Sequence, residues 1–258
     1  MITIKSPHEI SLMRKAGFIA GRALEEAGRV IAPGVTTRQV DDAVRKVIAS
    51  YHATPSFLGY GGFPAAACVS INEEVIHGIP GKKIIREGDL VKVDVGAIYG
   101  GFHGDTARTF VCGRADPEAE RLVAVTRQSF YEGIKFAREG HKLTDISHAI
   151  QTFAEGNGFS VVRRFVGHGV GADLHEDPEV PNFGEPGHGP RLRAGMTIAI
   201  EPMINAGAYG VRVGSDGWTV TTIDRKPSAH YEHTVLITDG DPVLLTSPEP
   251  GEGESIQD

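Results

Sequence analysis

Apolar residues recur at helical spacing in four stretches of the chain. The first runs from about Pro7 to Val30, where Ile10, Leu12, Met13, Phe18, Ala23, Leu24 and Ala27 form an amphipathic pattern. Ser6 is placed to cap it, with Pro7 at its first position and Glu9 completing a capping box. The second runs from Thr37 to about Ser50 with Val40, Val44, Val47 and Ile48 on one face. Asp116 and Pro117 start a third, which extends to about Arg138. A fourth begins near Thr144, with Ile146, Ala149, Ile150 and Phe153 facing inward.

The pattern repeats. Gly34 followed by Val40, Ala43 and Val44 matches Gly140 followed by Ile146, Ala149 and Ile150, at an offset of 106 residues. The segment from Ile85 to Asp94 aligns with Leu192 to Glu201 at an offset of 107, so Asp94 falls on Glu201. His103-Gly104-Asp105 then resembles His230-Tyr231-Glu232, and both run into apolar strands. Each half reads helix, helix, strand with carboxylate, strand with carboxylate. The implied architecture is a pseudo-twofold, duplicated α/β (α+β) domain over 1–246, with a curved antiparallel sheet and helices on one face. Residues 247–258, rich in Pro, Gly and Glu, are expected to form a flexible tail.

Acids sit where strands disfavour them. Asp94 interrupts the β-forming run from Val91 to Gly96, although Asp is depleted in strands. A turn centred on Tyr99-Gly100 sets Asp94 directly opposite Asp105, with Cβ atoms roughly 5 Å apart. Two solvated aspartates on an exposed face are one reading; a cation held between two like charges is the other. The second half favours the cation, because Glu201 ends the apolar strand Ile198-Ala199-Ile200 and Glu232 precedes Thr234-Val235-Leu236-Ile237. The matching imidazole is read as His168, flanked by glycines that let the backbone approach closely. That glycine run lacks the spacing of a phosphate-cradling loop. Carboxylates with one imidazole suit Mn²⁺, Fe²⁺, Co²⁺ or Zn²⁺. His77 and His175 are the other histidines of interest, and the remaining eight read as structural hydrogen-bonders. No Gly-x-Ser-x-Gly elbow occurs, and neither Cys68 nor Cys112 sits in a nucleophile's motif. A metal-activated water is therefore the better nucleophile, and an amide bond the expected target.

Composition narrows the class. At 258 residues, 40% hydrophobic and 23% charged, the chain is long enough for a dry core without disulfides. A net charge of −7 argues against a general nucleic-acid binder. Two lone cysteines suit a reducing compartment. Neither a secretory leader nor an apolar run near the ~18 residues of a membrane span is visible, so the expected location is cytoplasmic.

At these residues the sequence resembles a type I methionine aminopeptidase over about residues 3 to 246. The motifs are Asn72-Glu73-Glu74-Val75-Ile76-His77-Gly78-Ile79-Pro80, Asp94-Val95-Gly96, His103-Gly104-Asp105-Thr106, Gly167-His168-Gly169-Val170-Gly171, Glu201-Pro202 and Tyr231-Glu232-His233-Thr234. Only 32 residues separate His168 from Glu201, which leaves no room for the insertion of type II members. The resemblance implies the "pita-bread" fold and removal of the initiator methionine from nascent chains, with a small second residue preferred. It implies two divalent metal ions, with Asp94 on one, His168 and Glu201 on the other, Asp105 and Glu232 bridging, and a bridging water or hydroxide as nucleophile. Glu201 is the candidate proton acceptor, His175 the residue that stabilises the oxyanion, and His77 the residue near the scissile nitrogen. Tyr60, Phe63, Cys68, Leu174 and Trp218 line the methionine pocket. Phe57 departs from the pattern, standing where a smaller Cys or Thr is expected. A monovalent cation near Asn72 and Ser228, a monomeric state and a transient ribosome contact are further expectations. For the ribosome contact, Lys82, Lys83 and Arg86 offer a small basic loop, also readable as a solvated turn. Membrane and sequence-specific nucleic-acid partners are not expected. The rivals are a prolidase-like Xaa-Pro enzyme and a non-catalytic binding protein. The first carries an extra N-terminal domain, for which a first ligand at Asp94 leaves no space; the second typically loses ligands, and all five are present.

Overall fold

The computed structural model describes residues 1–248; the expected tail lies outside the described residues from 249 onward. Helix α1 spans Pro7–Val30 and α2 spans Thr37–Ser50. The Ser6–Glu9 capping box forms, with the Glu9 carboxylate accepting from Ser6 N at 2.7 Å. Strands β1 (Thr54–Pro55), β2 (Ala67–Ile71) and β3 (Glu74–Ile76) precede the long hairpin of β4 (Leu90–Tyr99) and β5 (Phe102–Val111). Then come α3 (Pro117–Ile134), α4 (Leu143–Gly156), β6 (Ser160–Val161), β7 (Gly167–Gly169), β8 (Glu176–Val180) and β9 (Thr197–Ile200). Strands β10 (Met203–Asn205), β11 (Val211–Val213), β12 (Val220–Thr222), β13 (Ser228–Leu236) and β14 (Val243–Leu244) follow. Asp116 caps α3 as expected, but the helix stops at Ile134 rather than near Arg138. The chain tightens there into three-residue turns, Phe136 N to Gly133 O and Ala137 N to Ile134 O, and these carry Ala137 into the core.

The main sheet is antiparallel, in the order β1-β4-β5-β13-β9-β7-β8, and β11-β12-β3 form a smaller sheet. Val91, Val93, Val95 and Ala97 of β4 pack on Ile19, Ala23, Val40, Val44 and Ile48 of α1 and α2. In the second half, Ile198, Ile200, Tyr231 and Val235 pack on Phe130, Ile146 and Ile150 of α3 and α4. Each fully buried aliphatic side chain contributes ~1.5–3 kcal/mol, so the two helical layers hold the sheet without help from an ion. Strand alternation then turns Lys92, Asp94 and Glu232 to the opposite face.

The duplication is visible in the pairing. Gly34 (φ 94°) and Gly140 (φ 93°) share one conformation and donate to the repeat-related carbonyls of Ile85 and Leu192. The offset of 127 that carries Asp105 onto Glu232 also carries Thr106 onto His233, and those two residues are paired between β5 and β13. The pseudo-twofold axis therefore passes through the middle of the sheet.

One register expectation fails. The hairpin turns on Gly100-Gly101, not Tyr99-Gly100, so Tyr99 pairs with Phe102, Asp94 with Ala107, and Gly96 with Asp105. A two-residue turn that matches strand twist needs positive φ at both central positions; Gly100 (57°) and Gly101 (84°) supply it, whereas Tyr99 would be strained. Asp94 and Asp105 are thus diagonal neighbours on one face, still within mutual reach.

Candidate metal centre

Five neighbouring strands deliver one candidate ligand each, in spatial order. Asp94 comes from β4, Asp105 from β5, Glu232 from β13, Glu201 from the residue after β9, and His168 from β7. Local sequence makes this possible at His168. A Cβ on Gly167 would lie 2.3 Å from Ala199 O, and one on Gly169 would lie 2.2 Å from Asp177 O. Only glycines let β7 slip between β8 and β9.

His168 Nε2 lies 3.6 Å from Glu201 Oε1 and 3.8 Å from Asp105 Oδ2. Asp105, His168 and Glu232 each offer a ligand atom within 4.8 Å of the others. His168 Nδ1 donates to Gly169 O at 2.8 Å, which leaves the Nε2 lone pair facing the acids. Asp94 and Asp105 hydrogen-bond through their carboxyls, and Oδ1 of each is buried without a partner. Burial pushes Asp94, Glu201 and Glu232 well above the usual carboxylate range, and the neighbouring acids push them further. Burial likewise raises Asp105 to about 7, although its hydrogen bonds to Asp94 and Thr106 oppose this. Burial holds His168 down at about 4, so its imidazole is a neutral ligand. Three buried carboxylates, the half-buried Asp94 and a neutral imidazole, with orphaned oxygens among them, are the donors divalent cations take. The residues present fit divalent metal.

Above the acids lies a cavity of about 140 Å³. All five ligands line it, together with Tyr60, Phe63, Cys68, Leu174, Trp218, His77 and His175. Phe63 meets Trp218 edge-on at 5.1 Å. Burial and the nearby acids raise the Cys68 thiol far above its usual range, so it is a neutral wall rather than a nucleophile. Phe57 joins this wall and packs over Gly96, where a Cβ would meet its ring at 2.9 Å. The His175 ring lies 4.1 Å from that of His168, and its Nδ1 is 2.8 Å from the Tyr60 hydroxyl. His77, at φ 58°, sets its ring against Phe165 and Trp218. Burial, reinforced by His175, lowers it to about 4.

Three contacts have no counterpart in the sequence reading, and a fourth bears on the expected monovalent cation. Asn182, fully buried, donates to Glu201 O at 2.9 Å. Thr234 Oγ1 accepts from Asp105 N at 3.0 Å and donates to Asp105 O at 2.9 Å. His230 Nε2 lies 3.6 Å from Glu201 Oε2. Finally, Asn72 O accepts from Lys92 Nζ at 2.7 Å and from Ser228 N at 3.0 Å. A carbonyl has two lone pairs, so both are taken where a monovalent cation was expected, and the residues present do not fit one. The basic loop is partly neutralised, since Lys83 pairs with Glu74 at 2.8 Å.

Among known proteins, residues 11–239 match the model of metallopeptidase family M24. A methionine aminopeptidase of Clostridium perfringens is 53% identical over 246 residues, 95% of this chain and 99% of that one. The crystal structure of the Thermotoga maritima methionine aminopeptidase superposes with a TM-score of 0.95 at 49% identity, covering 96% of this chain and all of that one. A Pyrococcus furiosus prolidase shares the fold (TM-score 0.76, 24% identity), but this chain spans only 66% of its length.

Proposed function

Because the chain belongs to metallopeptidase family M24, among its methionine aminopeptidases, we propose that it removes the initiator methionine from nascent polypeptides with two divalent ions bound at Asp94, Asp105, His168, Glu201 and Glu232. The observation that carries this reading is the five-strand row of candidate ligands on the floor of an aromatic-walled cavity. Such ions, when bound, would acidify a water and polarise the scissile carbonyl.

The chain's own residues do the rest. Phe63, Trp218, Leu174, Cys68 and Phe57 exclude water and seat an unbranched, polarizable side chain. The acids attract a free α-amine, which confines the reaction to a chain end. The Tyr60 hydroxyl, 2.8 Å from Nδ1, anchors the His175 ring, and the tautomer with its proton on Nε2 is the one that hydrogen-bonds the oxyanion. His77 is neutral near pH 7 and stands beside the pocket wall, where its ring hydrogen-bonds and orients the scissile nitrogen while that nitrogen receives the proton Glu201 takes from the water. Glu201 takes up the proton of the attacking water. The small cavity favours a small second residue. Residues 1–246 work as one catalytic domain. The enzyme acts as a cytoplasmic monomer on chains leaving the ribosome, with Lys82, Lys83 and Arg86 as the contact. Among the described residues, no helix is long and apolar enough to cross a membrane.

The test compares Met-Ala-Ser with an Xaa-Pro peptide in protein loaded with Mn²⁺ or Co²⁺. Release of methionine from the first alone is expected. Cleavage of the Xaa-Pro bond instead would indicate a prolidase, and hydrolysis of neither a binding protein.

A further inference from the structure

Lys92 is among the largest side chains the fold buries completely, at 1% exposed. It lies two residues before Asp94 on β4, on the same face, and among the described residues no carboxylate pairs with it. Its ammonium donates to main-chain oxygens, Asn72 O at 2.7 Å and Leu90 O at 3.3 Å. The nearby acids are engaged elsewhere: Glu74 with Ile71 N and Lys83, and Asp89 with Asn72 Nδ2 and Arg86 N. A buried charge without a counter-ion costs several kcal/mol, and a methionine would fill the same space without that cost. The position therefore has a use for the charge.

Asn72 shows what the use is. It sits in the left-handed region at φ 53° and ties three segments together. Its N donates to Leu90 O at 2.9 Å, its Oδ1 accepts from Leu90 N at 2.9 Å, and its O accepts from Ser228 N at 3.0 Å. Those segments are the β2–β3 turn, which leads to His77; β4, which carries Asp94; and β13, which carries Glu232. The ammonium stands where they meet. We propose that Lys92 is a built-in monovalent cation: it fixes the Asn72 junction, makes the enzyme independent of alkali ions, and on removal leaves a carbonyl-lined site for potassium or ammonium. Lys92 is thus a positioning residue, acting on His77, Asp94 and Glu232 through the backbone.

Full-length, metal-loaded wild type, Lys92→Ala and Lys92→Asn are assayed on Met-Ala-Ser in choline, sodium, potassium or ammonium chloride at one ionic strength. Melting temperatures are measured in the same buffers, a readout that does not depend on the proposed reaction. Wild type is expected to show one rate and one melting temperature in all four. The variants are expected to lose about tenfold or more in rate in choline. They should regain rate and several degrees of melting temperature, saturably, in potassium or ammonium. Stimulation of wild type by sodium or potassium over choline would overturn the proposal. So would variants that are equally impaired, or equally unfolded, in every salt, because a purely structural lysine cannot be replaced by a free ion.

Discussion

Asp105→Asn replaces the central carboxylate of the site with an amide of nearly the same size. Asp105 raises the pKa of each of its three neighbours, Asp94, Glu201 and Glu232, so removing its charge relaxes all of them. Its own carboxyl is raised from 3.8 to about 7. A group raised in the folded state contributes stability that is fully present below its unfolded pKa and lost as pH rises through the folded value. Ionising Asp105 in the metal-free fold therefore costs on the order of 4 kcal/mol above neutrality. The amide avoids that cost and can donate to Asp94, replacing the shared proton. The expected outcome is unusual for a ligand mutation. Chelator-treated Asp105→Asn should melt near wild type at about pH 4 and up to about 10 °C higher at about pH 8. Divalent metal should reverse the order: at a hundred times its Kd, Mn²⁺ adds about 2.7 kcal/mol to wild type and far less to the variant, which should also lack peptidase activity. Calorimetric melts at the two pH values, with chelator and with Mn²⁺, measure all of this. If the metal-free variant melts at or below wild type at the higher pH, or if Mn²⁺ raises both equally, the reasoning that like charge in this cluster awaits a cation is refuted.

The remaining predictions are narrower. His175→Ala should lower kcat by about 10²–10³ while leaving calorimetric metal affinity unchanged; equal loss of metal would refute an oxyanion role. Gly101→Ala meets no atom within 4 Å of the added Cβ, yet φ 84° strains an L-residue. It should therefore cost about 1–2 kcal/mol in denaturant melts without changing KM. His233 is drawn down to about 3 by burial, with Arg108 and Arg127 adding to the shift. Its contribution to stability is present above the unfolded value near 6.5 and is lost as pH falls towards about 3. His233→Gln should flatten the acid limb of the stability profile by about 1.4 kcal/mol per pH unit, read as the difference from wild type.

Much of this protein is local and could be read from neighbours along the chain. The ends of α1 and α2 follow from apolar periodicity and from Ser6–Glu9 and Thr36–Gln39 caps, whose energies involve residues three apart. The four acids stood out as a candidate cluster because carboxylates in apolar strands are costly and because the duplication placed them twice, and His168 stood out by its flanking glycines. What proximity along the chain cannot express was decided by the fold. The register of β4 on β5 depends on which two residues take positive φ, so Asp94 faces Ala107 and not Asp105. The His175 ring stacks on His168, and Asn182 and His230 reach Glu201, through packing between separate strands. Lys92 shows the difference most clearly. Alternation along β4 puts it on the same face as Asp94. Only the approach of Asn72 and Ser228, brought from elsewhere in the chain, encloses it and turns an ordinary lysine into a buried cation.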